Sequence, residues 1–382
     1  MNAFAFRHRQ GQPDLLAVTL AIILAVAGLA IAGSAGVYAE TLSGAVPTGM
    51  QRSFTHLLVG LAVMLLAMVP DYHLLAHRWI LWWMLASTTL TLAATLFGPE
   101  IKGTHRWLMV GGIQLQPSEF AKPVLVLAVS ATLAKAVEGG RVRSFDGLAR
   151  PMLIAAMIAG LVLLGKDLGT PTLLFGTTLA LVFAAGARLL HLGALLAAGL
   201  PLFFLFTQVE TYRLERLAAF ASSLHFTPQT LREIPWQLRQ SIVAIGSGGL
   251  FGKGFGASSQ KALFLPEANN DFIFAIIGEE LGMLGALLVL AAFMLIAWRG
   301  VAAYQRAPDE FGRLIAMGVT VLLCGQALCH MGVVTGILPT KGLPLPFLSS
   351  GGSSMISSFA LIGLLLNVSL RGRSHLGEEA LT

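Results

Sequence analysis

Long apolar runs separated by short polar joints fill this chain. They fall near residues 14–38, 52–69, 78–97, 117–136, 149–165, 170–186, 189–207, 271–298, 311–336 and 350–370. About twenty apolar residues let an α-helix cross the hydrocarbon of a bilayer with its backbone polar groups satisfied internally. The pattern predicts one all-α unit over 1–382: a bundle of about ten transmembrane helices with a long loop, about 208–270, between the seventh and eighth. The runs in 149–186 are the shortest and admit merging or splitting. No internal repeat or low-complexity segment interrupts the series. The first run, about Leu15 to Tyr38, follows Arg7, His8 and Arg9 as a signal peptide would, but it is too long for a signal h-region and reads as a membrane helix.

Composition agrees: 55% of residues are hydrophobic, 12% are charged, and mean hydropathy is +0.77. A soluble domain carries about twice that charged fraction, and none of useful size is expected at either end. The net charge of +6 matters only once its parts are placed. Arg7 and Arg9, Arg78, Lys135, Arg141, Arg143 and Arg150, then Arg188, Arg299, Arg306, Arg313, Arg371 and Arg373 recur on alternate joints. By the positive-inside bias those joints and both termini are cytoplasmic, in an inner membrane. No nucleic-acid partner is expected. Cys324 and Cys329 share one apolar run and read as small buried packers.

The long outer loop breaks the bias, with Arg213, Arg216, Arg232, Arg239, Lys253 and Lys261. A solvated loop fits, because long loops translocate regardless of charge; an outward basic surface for an anionic lipid pyrophosphate fits equally. Its glycine string from Ala244 to Gly256 fails both phosphate templates. A P-loop would need glycine at Ser247 and a hydroxyl residue at Gly254, and GxGxxG would need glycine at Phe251. A re-entrant or tight-turning loop is the plainer reading.

Ionisable groups at membrane depth are costly and are functional suspects, although many are structural pairs. Glu119 and Lys122 can pair at i, i+3 near the start of the fourth span, and Asp167 at an outer junction could also reach Lys122. If a helix begins near Pro266, Glu267 and Asp271 share a face at i, i+4, which a helix-dipole acid would also do without function. Glu279 and Glu280 fall in the first turns of the eighth span. His330 reads as a hydrogen-bonded interior group, with no second histidine at ligand spacing. No Ser–His–Asp arrangement suggests nucleophilic catalysis.

Several strings taken together resemble one family. They are Gly103-Thr-His-Arg-Trp107, Gln116-Pro-Ser-Glu-Phe-Ala-Lys122, Asp167-Leu-Gly-Thr170, Gln240-Ser241 with Ala244–Gly249, and the Leu265–Gly282 segment. Gly336–Phe347 and Ser349–Ser354 complete the set, which covers nearly the whole chain. The chain resembles the SEDS proteins (shape, elongation, division and sporulation). The resemblance implies a ten-helix bundle with cytoplasmic ends, and a peptidoglycan glycosyltransferase polymerising lipid II at the outer membrane face. It implies a class B penicillin-binding protein as crosslinking partner, among other membrane proteins of the divisome. Thr340-Lys341-Gly342 and Ala275–Glu280 resemble the division branch, FtsW, more than the elongation branch, RodA, which points to the septum.

Carried over by position, the resemblance makes Asp271 the essential loop aspartate and Glu119, Lys122 and Asp167 the cavity acids and lysine. Arg106 and Trp107 match the arginine–tryptophan pair, and Glu267 the loop glutamate. Departures are Asn269-Asn270 for His-Thr, Lys166 for proline, Ser350 for tyrosine, His330 for asparagine, and no acidic-Pro-Trp motif after Phe220. The first is polar for polar; the altered loop touches partner contacts and activation more than chemistry. Asp271 would serve as base toward an attacking sugar hydroxyl or as ligand to a divalent cation. Arg106, loop basics such as Lys253 and Lys261, or that metal would steady the departing pyrophosphate. A lipid flippase and a scaffold for a transpeptidase are the competing classes; acids gathered at the outer helix ends favour chemistry there.

Overall fold

The computed structural model describes residues 14–41, 48–101, 103–111, 113–208, 235–263, 265, 268–339 and 342–372. Helices α1 (Leu15–Thr41) and α2 (Thr48–Met68) precede a single turn, α3 (Tyr72–Leu75), and then α4 (Arg78–Leu96). After the short antiparallel hairpin β1 (Leu108–Val110) and β2 (Ile113–Leu115) come α5 (Pro117–Glu138), α6 (Phe145–Leu164), α7 (Gly169–Ala184) and α8 (Leu189–Gln208). The chain continues through α9 (Trp236–Gly248), α10 (Ser259–Leu263), α11 (Ile273–Glu280), α12 (Gly282–Arg306), α13 (Glu310–Val334) and α14 (Gly352–Leu370).

Among the described residues, eight helices are long and apolar enough to cross a membrane, and two shorter apolar ones, Gly169–Ala184 and Leu189–Gly199, stand where the sequence places the sixth and seventh spans. The bundle has an inside and an outside. Within the apolar 18-residue stretch of each helix, buried residues make up 72% in α5, 72% in α13 and 78% in α14, against 17% in α4 and 22% in α2 and α6. Lipid is as apolar as leucine, so hydropathy does not choose the inner helices; close packing and internal hydrogen bonds do. Small residues permit the approach. A Cβ on Gly60 of α2 would lie 2.6 Å from Phe359 of α14, and one on Gly363 of α14 would lie 2.5 Å from the Met64 carbonyl of α2.

Two expectations are corrected. The run 271–298 is not one span: α11 stops at Glu280, Gly282 turns at φ 68°, and α12 starts afresh. The turn is held from outside, since the Lys253 and Gly254 amides donate to the Glu279 and Glu280 carbonyls at 2.9 and 3.1 Å. Nor does Asp271 lie on a helix: residues 268–272 form turns and α11 begins at Ile273. The helical face at i, i+4 expected for Asp271 is therefore not supported at that residue. Glu267 itself lies outside the described residues, as do Thr340 and Lys341 and the loop residues Arg213, Arg216 and Arg232. The hairpin β1–β2 was not foreseen.

Candidate functional site

The connection from α13 to α14, Gly342–Gly351, is a proline-rich strap lying across one end of the bundle. Proline cannot donate a backbone hydrogen bond, so the strap makes few bonds of its own, Leu348 amide to Pro346 carbonyl at 2.8 Å and Ser349 amide to Leu345 carbonyl at 3.0 Å, and side chains hold its other carbonyls. Two come from α13 one turn apart: Gln326 Nε2 donates to the Pro344 carbonyl at 2.7 Å, and His330 Nδ1 donates to the Leu343 carbonyl at 2.7 Å. Ser349 Oγ accepts from the Leu345 amide at 2.8 Å and donates to the Asn270 carbonyl at 2.7 Å. The Ser350 amide donates to the Asn269 carbonyl at 3.0 Å. Phe347, buried, is held at φ 66°, a conformation disfavoured for a bulky residue, and rests edge-on against Phe359 at 5.3 Å.

The acids meet this strap from three sides. A Cβ on Gly342 would sit 3.0 Å from Asp271 Oδ2, so the strap backbone passes directly against the Asp271 carboxylate. Asp167 closes the start of α7, accepting from the Gly169 amide at 2.9 Å, the Thr170 amide at 3.3 Å and the Thr170 hydroxyl at 2.9 Å. Gly169 in turn packs on Leu343, whose Cγ lies 3.0 Å from where its Cβ would be. Beneath, Lys122 Nζ donates to both oxygens of Glu119 at 2.7 Å and to Gln326 Oε1 at 2.8 Å. Glu119 and Lys122 are each 1% exposed, so the pair survives at this depth through its geometry and its third partner. Gln326 thus ties Lys122 to the strap that faces Asp271. Asp167 bonds to the start of α7, and Lys122 turns to Glu119 and Gln326 in place of the Asp167 pairing anticipated.

Arg106 and Trp107 lead into β1 beside the junction that carries Asp167: the His105 amide donates to the Gly165 carbonyl at 3.2 Å. Arg106 Nε is buried and has no hydrogen-bond partner. Lys166, next to Asp167, stands at φ 64°, a value proline cannot adopt. Four buried side-chain oxygens around the strap, Asn269 Oδ1, Asn270 Oδ1, Ser350 Oγ and Ser354 Oγ, also lack partners.

Lys253 and Lys261 sit elsewhere, at the far end of α11, roughly 10 Å along its axis from Asp271. Lys253 pairs with Glu279 at 2.7 Å, and Ser258 and Ser259 donate to the same carboxylate at 2.5 and 3.2 Å. Burial pushes the Glu279 carboxyl upward, but these hydrogen bonds outweigh it and hold the group below its ordinary value. Lys261, 3% exposed at its side chain, lies 3.8 Å from Glu280 and also donates to the Ile31 carbonyl of α1. Burial lowers Lys261 to about 8 and raises Glu280, with their mutual attraction opposing each change. Both lysines therefore tie the loop to its neighbours, Lys253 to α11 and Lys261 to α11 and α1. Sequence reading missed Gln326 and Ser349. Gln326 had a signal: a polar residue four positions before His330 in an apolar span shares its helix face.

A helical membrane bundle with acids gathered under a strap at one end defines a polytopic protein with an interfacial polar site. The family model for cell cycle proteins of the FtsW/RodA/SpoVE type matches residues 14–374, and the chain belongs to that family. It is 37% identical to a probable peptidoglycan glycosyltransferase FtsW of Trichlorobacter lovleyi, over 84% of this chain and 83% of that one. It is 35% identical to stage V sporulation protein E of Bacillus subtilis, over 96% and 99%. Among solved structures it is similar to a chain of a peptidoglycan synthase complex that coordinates polymerization and crosslinking, with TM-score 0.74, 27% identity and coverage of 94% and 97%. The rod shape determining protein RodA of Thermus thermophilus follows, with TM-score 0.68, 28% identity and coverage of 94% and 96%.

Proposed function

We propose that this chain is a peptidoglycan glycosyltransferase that polymerises lipid II at the outer face of the cytoplasmic membrane, in the septal wall during division. The observation that carries the reading is the meeting of Asp271, Asp167 and the Glu119–Lys122 pair on one strap at one bundle end. Such a site at the membrane surface suits a substrate with its lipid in the bilayer and its sugars in water.

In the reaction, a sugar 4-hydroxyl attacks the anomeric carbon of a second lipid-linked sugar. The new glycosidic bond forms as the bond to the lipid pyrophosphate breaks, and the hydroxyl proton passes to a base. Asp271 is assigned that base, because a hydroxyl at neutral pH needs a positioned acceptor. Arg106, with a buried unpartnered Nε beside the Asp167 junction, is assigned to the departing pyrophosphate. The unpartnered oxygens of Asn269, Asn270, Ser350 and Ser354 would accept from sugar hydroxyls. Glu119, Lys122 and Asp167 hold the site's shape, and Glu267 is kept as a candidate second loop acid. A class B penicillin-binding protein is the proposed partner, with other divisome membrane proteins around it. Among the described residues no group of three or more His, Cys, Asp or Glu is placed to hold a metal ion, and a divalent cation at Asp271 is the alternative role for that carboxylate.

The test is lipid II polymerisation by purified protein with and without its class B partner. Native protein should yield strands, and a well-folded Asp271→Asn protein should yield none. Strands at the native rate from Asp271→Asn would sink the base assignment. Lipid movement between vesicle leaflets without strands would favour a flippase instead.

A further inference from the structure

The glycine-rich turn between α9 and α10 ends in an apolar tip. Leu250, Phe251 and Phe255 are 56%, 78% and 59% exposed, a concentration of large apolar side chains that a water-facing loop does not need. Hydrogen bonds fix the height of this tip. The Met283 and Leu284 amides, in the first turn of α12, donate to the Gly249 and Leu250 carbonyls at 2.9 and 3.2 Å. The tip is therefore level with the point where a membrane-crossing helix begins. Below it the exposed apolar surface continues down α12 through Met283, Leu287 and Leu288.

Two further features suit this segment to lipid. Irregular backbone can face hydrocarbon only if its polar groups are satisfied by protein. Here the Gly252 amide donates to the Gly248 carbonyl at 2.8 Å, and the Lys253 and Gly254 amides donate to the end of α11. Gly252, at φ 81°, is required for that fit, because a Cβ would lie 2.1 Å from the Glu280 carbonyl oxygen. The charge in the tip, Lys253, is matched by Glu279.

We propose that Leu250–Phe255 is a wedge that dips into the acyl region of the leaflet on the Asp271 side, the outer leaflet in the orientation read from the arginines. Lipid is the assigned occupant because the patch is continuous with the bilayer-facing side of α12. The wedge is bonded to the C-terminal end of α11, and Asp271 precedes the N-terminal end, so lipid contact sets the depth of the carboxylate.

The experiment places a nitroxide at Phe251→Cys or Phe255→Cys, with Cys324 and Cys329 replaced by alanine, in the otherwise full chain. The protein is reconstituted in vesicles of phosphatidylethanolamine and phosphatidylglycerol, and Met109→Cys on β1 serves as the water-facing reference. Collisions with lipid-soluble oxygen should dominate at 251 and 255, and collisions with a water-soluble nickel chelate at 109. Dominant nickel collisions at 251 would overturn the proposal, and so would a label that neither reagent reaches, which would mean a protein covers the patch. A second arm rests on the polymerase reading. Leu250→Ser with Phe251→Ser and Phe255→Ser should lose polymerisation in vesicles but keep it in detergent micelles, and leucine at both phenylalanines should restore it. Serine variants as active in vesicles as native protein would overturn the depth-setting role, while the collision result stands independently of the reaction.

Discussion

At the scale of single residues, the buried lysine is the most demanding feature. Lys122 has three close acceptors and almost no solvent, so its removal strands Glu119 rather than merely deleting a contact. Lys122→Met should destabilise the fold by about 3–5 kcal/mol, and adding Glu119→Leu should recover most of it, because the penalty is the unpaired charge. Thermal unfolding in detergent of both variants checks this. Gln326→Leu keeps Glu119 beside Lys122 but takes away the lysine's third acceptor and frees the Pro344 carbonyl, at about 1–3 kcal/mol for each buried polar group left without a partner. It should lower polymerisation more than its stability loss explains, since it releases the strap facing Asp271. The unpartnered oxygens make a different prediction: Asn270→Ala and Ser354→Ala should raise KM for lipid II with little change in stability. Both groups crowd Gly351, with Asn270 Oδ1 3.2 Å and Ser354 Cβ 3.6 Å from a Cβ built there. Equal KM values for native and variant proteins would remove them from sugar binding.

At the scale of elements, the break between α11 and α12 organises the loop, and its ion pairs give it a pH signature. Glu280 is raised above its ordinary value, so its contribution is complete at low pH and is lost as pH climbs through the raised value. Lys261 is lowered from 10.5 to about 8, so its contribution is complete above 10.5 and is lost as pH falls through about 8. Stability should thus rise between about pH 8 and 10.5, and Lys261→Met should abolish that rise; unfolding midpoints across the range test it. The sequence could not announce this break. Phe272 through Leu290 is apolar on both sides of it, and only Glu279-Glu280 and the glycines at 278, 282 and 285 interrupt the run, with nothing to single out Gly282. The β1–β2 hairpin did have a signal, since Gly111-Gly112 between Leu-Met-Val and Ile-Gln-Leu is a two-residue hairpin pattern. Asp271, Glu119, Lys122 and Asp167 were legible as charges in apolar surroundings. Their meeting on the strap was not, because it depends on Gln326, His330 and Gly342, which carry no charge pattern.

At the scale of the whole molecule, the two ends of the bundle are built differently. The strap end gathers four buried oxygens without partners, whereas at the opposite end, where His191 Nδ1 is also unpartnered, the helices are cross-tied. There His73 lies 2.6 Å from Asp71 and 3.0 Å from Asp309, and the Tyr72 hydroxyl also donates to Asp309, the N-cap of α13. Asn367 of α14 accepts from the Tyr72 amide and donates to the Ala67 and Pro70 carbonyls at 2.7 and 2.6 Å, so α3 staples α2, α13 and α14 together. An end that is tied in this way suits a fixed base, and an end with spare acceptors suits a ligand. The charges lean the same way: Arg141, Arg143, Arg150, Arg306, Arg313 and Arg371 gather at the tied end, where Glu310 and Asp71 pair with the last two, while the strap end carries Arg106 and Lys166 and the lysines Lys253 and Lys261, which Glu279 and Glu280 match. This asymmetry predicts the orientation. Met109→Cys on β1 and Arg143→Cys in the α5–α6 turn flank α5, roughly 33 Å apart along its axis. With Cys324 and Cys329 replaced by alanine, a membrane-impermeant maleimide should label residue 109 in intact spheroplasts and residue 143 only after permeabilisation. The reverse pattern would put the strap and Asp271 on the cytoplasmic side, where strand polymerisation at the outer face could not use them, and it would remove the topological basis of the proposed reaction while leaving the fold as described.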